Sequence, residues 1–446
     1  MLGEAAVTQQ DVGRYIGAYS HAIEAIAEHN QQRVDQHNDD HENSASQTSQ
    51  SSSHPNSQSS SQSSSQSSSQ SSSQSKNNSP VPSSISIKLS ALHPRFEIRQ
   101  KHGLEQLKDN LLGLLTLAYE KDVPVTIDAE ESWRLEPTLM IFAQIIGTEP
   151  FRHWGKLGIA VQTYQKSALG VLEWLSALSK TIHCLIPVRL VKGAYWDSEI
   201  KRAQQLGLKE YPVFTSKAHT DLSYLACVHT LMKTKHFLYP QFATHNAHTV
   251  ASIITLAQEY HYSHFEFQRL HGMGQALHDH VLKNTDNINC RIYAPVGEYT
   301  RLLPYLVRRL LENGASTSFV RLVNQNVDAS YLAEEPVLTI KNTDKLSNPY
   351  IPLPAKLFSP VRKNSQGINL ESSQELRLLK KGVEPFLNKQ WNLHDVGNAS
   401  NLDKPDITAE NKKIHTNHNS KSTNNIGNSI DSSITDNISK DINSIT

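Results

Sequence analysis

Short β-branched runs alternate along the middle of this chain with longer stretches whose apolar residues recur near a 3.6 period. The runs are Ile85 to Leu89, Val123 to Asp128, Gly158 to Tyr164, Ile186 to Val191, Pro240 to Thr244, His264 to Gln268 and Asn289 to Tyr293. Helical patterning fills the intervals, as in Gly103 to Lys121, Trp133 to Ile146, Leu169 to Lys180, Asp221 to Lys233 and Val250 to Tyr260. Strands and helices in this order are the signature of parallel β/α units. The seven runs predict an α/β fold, a (β/α)8 TIM-type barrel with one strand unaccounted for.

The pattern fails at two places. Residues 41–80 are nearly all Ser, Gln, Asn and His, with SSSQ recurring, and residues 398–446 are rich in Asn, Ser, Asp and Lys. Such segments lack the apolar area that offsets chain entropy, and both are expected to be disordered. The expected organisation is the start of a barrel over 1–30, a disordered insertion over 31–82, the barrel proper over 83–330, a connecting segment over 331–397 and a disordered tail over 398–446. Loop entropy grows only logarithmically with length, so the insertion is tolerable in itself. Of the 446 residues, the ordered remainder is large enough for one barrel; the low hydrophobic content of 37% reflects dilution by the polar segments.

Lys plus Arg and Asp plus Glu are equal at 43 each, which leaves no global field to attract nucleic acid or an anionic membrane. Three scattered cysteines, Cys184, Cys227 and Cys290, suit neither a disulfide framework nor a zinc site, and a reduced, cytoplasmic setting is the simpler expectation. No apolar run is long enough to span a bilayer, and the first residues do not read as a secretory signal. Membrane contact is expected to be peripheral at most.

Polar residues fall at the C-terminal ends of the predicted strands: Lys88, Asp128, Gln162 and Tyr164, Arg189, His245, Gln268 and Tyr293. That rim is where (β/α) barrels build their sites. Taken singly, each has a plainer explanation. Lys88 reads equally well as an edge residue that snorkels, and Asp128 as a cap of a following helix. His245 and His248 have metal-ligand spacing but no third partner, so no metal is expected. Arg308 and Arg309 could belong to a solvated helix face. Two features resist such explanations. VKGAYW at 191–196 follows a buried strand with a Gly that lets backbone approach a ligand, then two aromatics suited to a flat cofactor. The adjacent Arg308 and Arg309 follow the last strand closely, where carboxylate or phosphate capture is their natural use.

These segments stand among the motifs MLGEAA, SIKLSALHPRFE, IDAEESWRLE, VQTYQKS, VRLVKGAYWDSEIKRAQ, YPQFATHNAHT, FEFQRLHGMG, CRIYAPVG and YLVRRLLENGASTSF, which cover nearly all of residues 1–30 and 84–325. In that order they resemble the proline dehydrogenase domain of the bifunctional proline utilization A flavoenzymes. The resemblance implies a barrel holding non-covalent FAD that oxidises L-proline to Δ1-pyrroline-5-carboxylate and passes electrons to a membrane quinone. It assigns Asp128, Arg189 and Lys88 to catalysis, as the active-site carboxylate, the flavin-contacting arginine and the substrate-side lysine. Flavin-binding positions are Asp128, Gln162, Tyr164, Arg189, Val191, Lys192, Gly193, Ala194, Tyr195, Trp196, Thr215, Lys217, Thr244, His245, Asn246, Gln268 and Leu270. Lys88, Tyr293, Arg308 and Arg309 would receive proline, with Glu4 pairing with the first arginine as a gate.

The chain also departs from the family. It starts where relatives have a preceding strand, so the first barrel strand is expected to be missing, together with the DNA-binding and helical segments many relatives carry. IPLPAKLFSPVRKNSQGINLES resembles the connection into an aldehyde dehydrogenase half that is not in the sequence, which leaves a separately encoded pyrroline-5-carboxylate dehydrogenase as an expected partner. Ser216 stands where relatives have Arg near the FAD phosphates, and Arg269 where they have Cys. Two other readings remain open: an inactive fragment of such a bifunctional protein, and, with the resemblance set aside, a Schiff-base aldolase using Lys88.

Overall fold

Among the described residues, seven strands pair side by side in chain order and all in parallel: β1 (Ile85–Ile87), β2 (Val125–Ile127), β3 (Leu157–Gln162), β4 (Ile186–Val191), β5 (Leu238–Ala243), β6 (Glu266–Leu270) and β7 (Asn289–Tyr293). The computed structural model describes residues 3, 5–49, 81–285, 287–297, 299–314, 328, 335–342 and 347–389, with backbone alone at 38–49, 299–301 and 312–314. The sheet curls into an open barrel. Helices α1 (Gln9–Ser49), α2 (Lys101–Glu120), α3 (Leu135–Ile146), α4 (Ala168–Ile182), α5 (Trp196–Gln205), α6 (Lys217–Lys233), α7 (Ala247–Glu259), α8 (Gln275–Asn284) and α9 (Tyr299–Gly314) accompany it.

Side chains alternate between the two faces of a strand, and here the faces differ in kind. Ile87, Ile127, Ile159, Val188, Phe242 and Phe267 lie on one face and join helix residues such as Leu111, Phe142, Leu175, Leu231 and Ile253 in a single apolar core. The opposite face carries Thr126, Ala160, Arg189, Gln241, Glu266 and Gln268, all buried. The register aligns Ala160, Arg189, Gln241 and Glu266 across four consecutive strands. The core is therefore the layer between sheet and helices, and the inside of the barrel is polar.

Strand bounds differ from the sequence reading by a few residues, and one shift matters. β6 runs over Glu266–Leu270 rather than from His264 to Gln268, so Gln268 sits inside the barrel and not at its rim. Pairing with β7 begins at Glu266, because Asn289 is its first partner there.

Among the described residues β1 and β7 each pair on one side only. Arg291 on β7 reaches across, its Nη1 donating to the carbonyl of Pro82 and, at 3.3 Å, to Ser84 Oγ just before β1. Helix α1 lies against β1: Tyr19 and Ile23 are fully buried, and Tyr19 Oη accepts the Lys88 N–H at 3.2 Å. The helix continues through residues 31–49, which the composition had assigned to the disordered insertion. No Gly or Pro interrupts that stretch, and extending a formed helix adds one hydrogen bond per residue fixed. Asn30 anchors it, exchanging hydrogen bonds with Ser83 N (2.7 Å) and O (3.0 Å). Residues 50–80 and the tail 398–446 lie outside the described residues.

Part of the predicted connecting segment folds back onto the barrel, with short helices α10 (Pro336–Lys341) and α11 (Ser373–Val383). Tyr211 Oη donates to the Pro352 carbonyl at 2.6 Å, and Arg99 pairs with Glu371 at 3.1 Å.

Candidate active site

Lys88 and Asp128 are the residues immediately after β1 and β2, and the Asp128 N–H donates to the Ile87 carbonyl at 2.9 Å, which extends the ladder by one step. Both are buried, so Lys88 does not snorkel, and Asp128 caps no helix. Its carboxylate instead takes three partners from three other strand segments: Arg189 Nη1 at 2.6 Å, Tyr293 Oη at 2.8 Å and the Lys88 ammonium at 3.8 Å. Burial resists ionisation of Asp128, but the charges of Lys88 and Arg189 and the Tyr293 hydrogen bond outweigh it, and its pKa lies below the ordinary value. Burial and the Asp128 charge hold the Tyr293 hydroxyl protonated well above its usual range, which makes it a donor here.

Arg189 is fixed on both edges. Its Nε donates to Gln268 Oε1 at 2.7 Å while Nη1 engages Asp128, and its guanidinium carbon lies 5.1 Å from the centroid of the Tyr293 ring.

Helix α9 brings its arginines over this layer. Adjacent helical residues diverge by about 100°, so the two guanidinium groups lean on different rings. Arg308 lies 5.0 Å from the Tyr195 ring and Arg309 5.5 Å from that of Tyr305. Tyr195 Oη also accepts from Lys88 Nζ at 3.1 Å, so Arg308, Tyr195, Lys88 and Asp128 form one connected set.

The segment after β4 turns at Gly193, whose φ of +129° suits glycine alone; a Cβ there would fall on the Tyr164 ring. Lys192 and Lys217 share Asp221, a partly buried carboxyl whose pKa both ammonium groups hold below its ordinary value against the opposing effect of burial. Val191 ends β4, Ala194 and Tyr195 follow Gly193, and Trp196 Nε1 donates to the Phe214 carbonyl at 2.8 Å. Thr215 Oγ1 accepts from Asn348 N at 3.2 Å. Gln162 donates to the Glu130 carbonyl at 2.6 Å, and Tyr164 Oη to Glu199 at 3.5 Å. Across the barrel, Asn246 caps α7 by accepting the Thr249 N–H, and Thr244 O receives a hydrogen bond from His278 Nε2 at 3.0 Å. His245 Nε2 accepts the Leu270 N–H at 3.0 Å, so this lone pair is not offered to a metal. Burial, His278 and the cations Arg309 and Arg269 lower the His245 pKa to about 4 and keep the ring neutral. Among the described residues no three His, Cys, Asp or Glu side chains converge to hold a metal ion.

The proline dehydrogenase family model matches residues 1–322. The chain belongs to the proline dehydrogenase family. It is 40% identical over 404 residues to the bifunctional protein PutA of Klebsiella aerogenes, covering 88% of this chain and 27% of that one. A crystal structure of a Bradyrhizobium japonicum proline utilization A mutant is similar at a TM-score of 0.72 and 40% identity, over 86% of this chain and 35% of that one. The Bdellovibrio bacteriovorus proline utilization A, solved after inactivation by N-propargylglycine, gives 0.69 at 25% identity, over 87% of this chain and 36% of its own. The chain thus spans little more than a quarter of the curated PutA relative's length.

For this proline dehydrogenase family member, the structure brings together two sets of the sequence-predicted residues. Lys88, Asp128, Arg189, Tyr195, Gln268, Tyr293 and Arg308 meet in one network, buried except at Tyr293 and Arg308, which are partly exposed. Lys192 and Lys217 meet separately at Asp221. Glu4 lies outside the described residues. The sequence reading missed Glu130, Glu199, Gln241, Glu266 and Arg291. Glu266 and Gln241 could have been found, since period-two spacing puts Glu266 on the face of Gln268, and Gln241 precedes Ala243 by the same step. Glu130 and Glu199 belong to loop and helix starts whose placement no strand pattern encodes.

Proposed function

We propose that this chain is an FAD-dependent proline dehydrogenase, oxidising L-proline to Δ1-pyrroline-5-carboxylate and passing the electrons to a quinone as the first step of proline catabolism to glutamate. The observation that carries this reading is the buried set Lys88, Asp128 and Arg189, bonded to the partly buried Tyr293 and overhung by Arg308 of α9. It offers a place for a small zwitterion: cations for the carboxylate and an aromatic face for the ring.

The residues present fit a flat, phosphate-bearing cofactor. Gly193 lets the chain after β4 turn tightly against the Tyr164 ring, Lys192 and Lys217 supply cations near the start of α6, and Thr163 Oγ1 is buried beside Gln162 with no hydrogen-bond partner. FAD, when bound, supplies the two-electron acceptor for a hydride from the ring carbon next to the proline nitrogen. Arg189, fixed by Asp128 and Gln268, would stabilise negative charge that accumulates in the pocket. Arg308 and Arg309 would hold the carboxylate, Lys88 would add positive charge, and Tyr293 would pack on the ring. Together they orient the substrate, which is the protein's main contribution to such a transfer.

Among the described residues no helix is long and apolar enough to cross a membrane, so contact with a membrane-borne quinone is proposed to be peripheral. A Schiff base at Lys88 is less well supported, because its amine is engaged by Asp128 and Tyr195. The test is turnover with a short-chain quinone: protein supplied with FAD should reduce it only when L-proline is added, and N-propargylglycine should abolish that turnover progressively. Borohydride-trapped carbonyl adducts on Lys88, with no proline-dependent reduction, would reverse the choice.

A further inference from the structure

One buried carboxylate inside the barrel has no task in the proposed reaction. Glu266, 1% exposed, lies on β6 two residues before Gln268 and on the same inner face. Its Oε1 accepts from Gln268 Nε2 at 2.6 Å, Arg291 Nε at 2.9 Å and Gln241 Nε2 at 3.1 Å, and its Oε2 from Arg291 Nη2 at 3.0 Å.

An ionised carboxylate offers acceptors only, and this fixes how Gln268 lies. A side-chain amide has two nearly isosteric ends, and the surroundings decide which faces which way. Only the NH2 of Gln268 suits Glu266, so its carbonyl is turned to Arg189, where it accepts Nε at 2.7 Å. Reversed, the amide would aim donors at a guanidinium that has nothing but donors. Gln241 shows the same control: its NH2 also goes to Glu266, although this leaves its Oε1 buried without a hydrogen-bond partner.

We propose that Glu266 is a positioning residue for Arg189. Through Gln268 it sets the orientation of the guanidinium, and with it the readiness of the flavin to accept electrons. The inference rests on the proposed function.

Glu266→Gln, nearly isosteric, tests it in the full chain loaded with FAD. The replacement amide can donate as well as accept, so Gln268 is free to reverse. Losing one oriented hydrogen bond to a charged group predicts about a tenfold fall in kcat with the proline KM within about twofold. The flavin midpoint potential should become more negative, and FAD should bind more weakly by fluorescence titration. The double variant Glu266→Gln with Gln268→Glu places a carboxylate directly against Arg189. It should recover potential and kcat, although Arg291 still lacks its own carboxylate. If Glu266 only anchors Arg291, the double variant is no better than the single one, and the proposal is overturned. Should Glu266→Gln not fold, Gln268→Met must reproduce the lowered kcat and potential with the Glu266–Arg291 pair intact; wild-type values there overturn it too. A wild-type protein that binds no FAD and oxidises no proline defeats the proposed function instead, and the inference with it.

Discussion

Asp128 and Arg189 meet at 2.6 Å from strands that are not neighbours, since β3 lies between β2 and β4. The pair therefore spans the inside of the barrel and ties it together where the ladder does not. Both side chains are almost fully buried, so the Arg189 charge is matched inside the barrel by a carboxylate that Lys88 also faces.

Asp128→Asn removes the carboxylate that the buried Arg189 and Lys88 share. Removing one partner of a buried pair typically costs about 3–5 kcal/mol, and a loss of that order is expected in urea unfolding at neutral pH. A change within experimental scatter of wild type would contradict the placement of this network.

The same carboxyl sets an acid dependence. Its folded pKa is lowered from 3.8, so its contribution is complete above that value and is lost as pH falls below it through the folded pKa. Stability measured below pH 3.8 should fall more steeply for wild type than for Asp128→Asn, once the latter's lower starting value is subtracted.

His245 works in the same sense at a higher pH. Its pKa drops from 6.5 to about 4 on folding, so the unfolded chain binds the extra proton first, and stability declines as pH falls from 6.5 towards about 4. Nitrogen NMR of the ring should show the neutral tautomer with Nε2 unprotonated at pH 6; a ring titrating near its ordinary value would contradict the contact with Leu270.

Gly193→Ala adds a Cβ at φ +129° directly against the Tyr164 ring. Backbone strain of this kind costs about 1–3 kcal/mol, and the turn beside Tyr195 should shift to relieve it. FAD content per mole of purified protein is expected to fall well below wild type, whereas Gly113→Ala, in open space on α2, should leave it unchanged.

Arg308→Ala and Arg309→Ala should each raise the proline KM by about tenfold or more while flavin content stays near wild type, since a charge-assisted hydrogen bond to the substrate is lost and Tyr195, which Arg308 overlies, stays anchored by Lys88 Nζ. Steady-state kinetics on the FAD-loaded variants decide this.

Much of the architecture was legible in the chain. The β-branched runs located the seven strands of the described residues because β1 to β6 each bury an apolar face under helices, as Ile127, Val188 and Phe242 do; the edge strand β7 stays largely exposed. Lys88, Asp128, Arg189 and Tyr293 were legible as a set because barrel strands deliver their C-terminal residues to one end. What stayed hidden depends on contacts between distant segments. Nothing local marks Glu266 as the acceptor for Gln241, Gln268 and Arg291, and the α1 extension past residue 30 is held by Asn30 and Arg33 bonding to residues 81–83. Composition alone read that extension as disordered.

The most direct test of the central claim is an absorbance spectrum of the purified, FAD-loaded chain before and after anaerobic addition of L-proline. Bleaching of the flavin bands by L-proline, and its loss in Arg189→Met, is the predicted result. A flavin that stays oxidised in the presence of saturating L-proline would contradict the assignment of this site to proline oxidation.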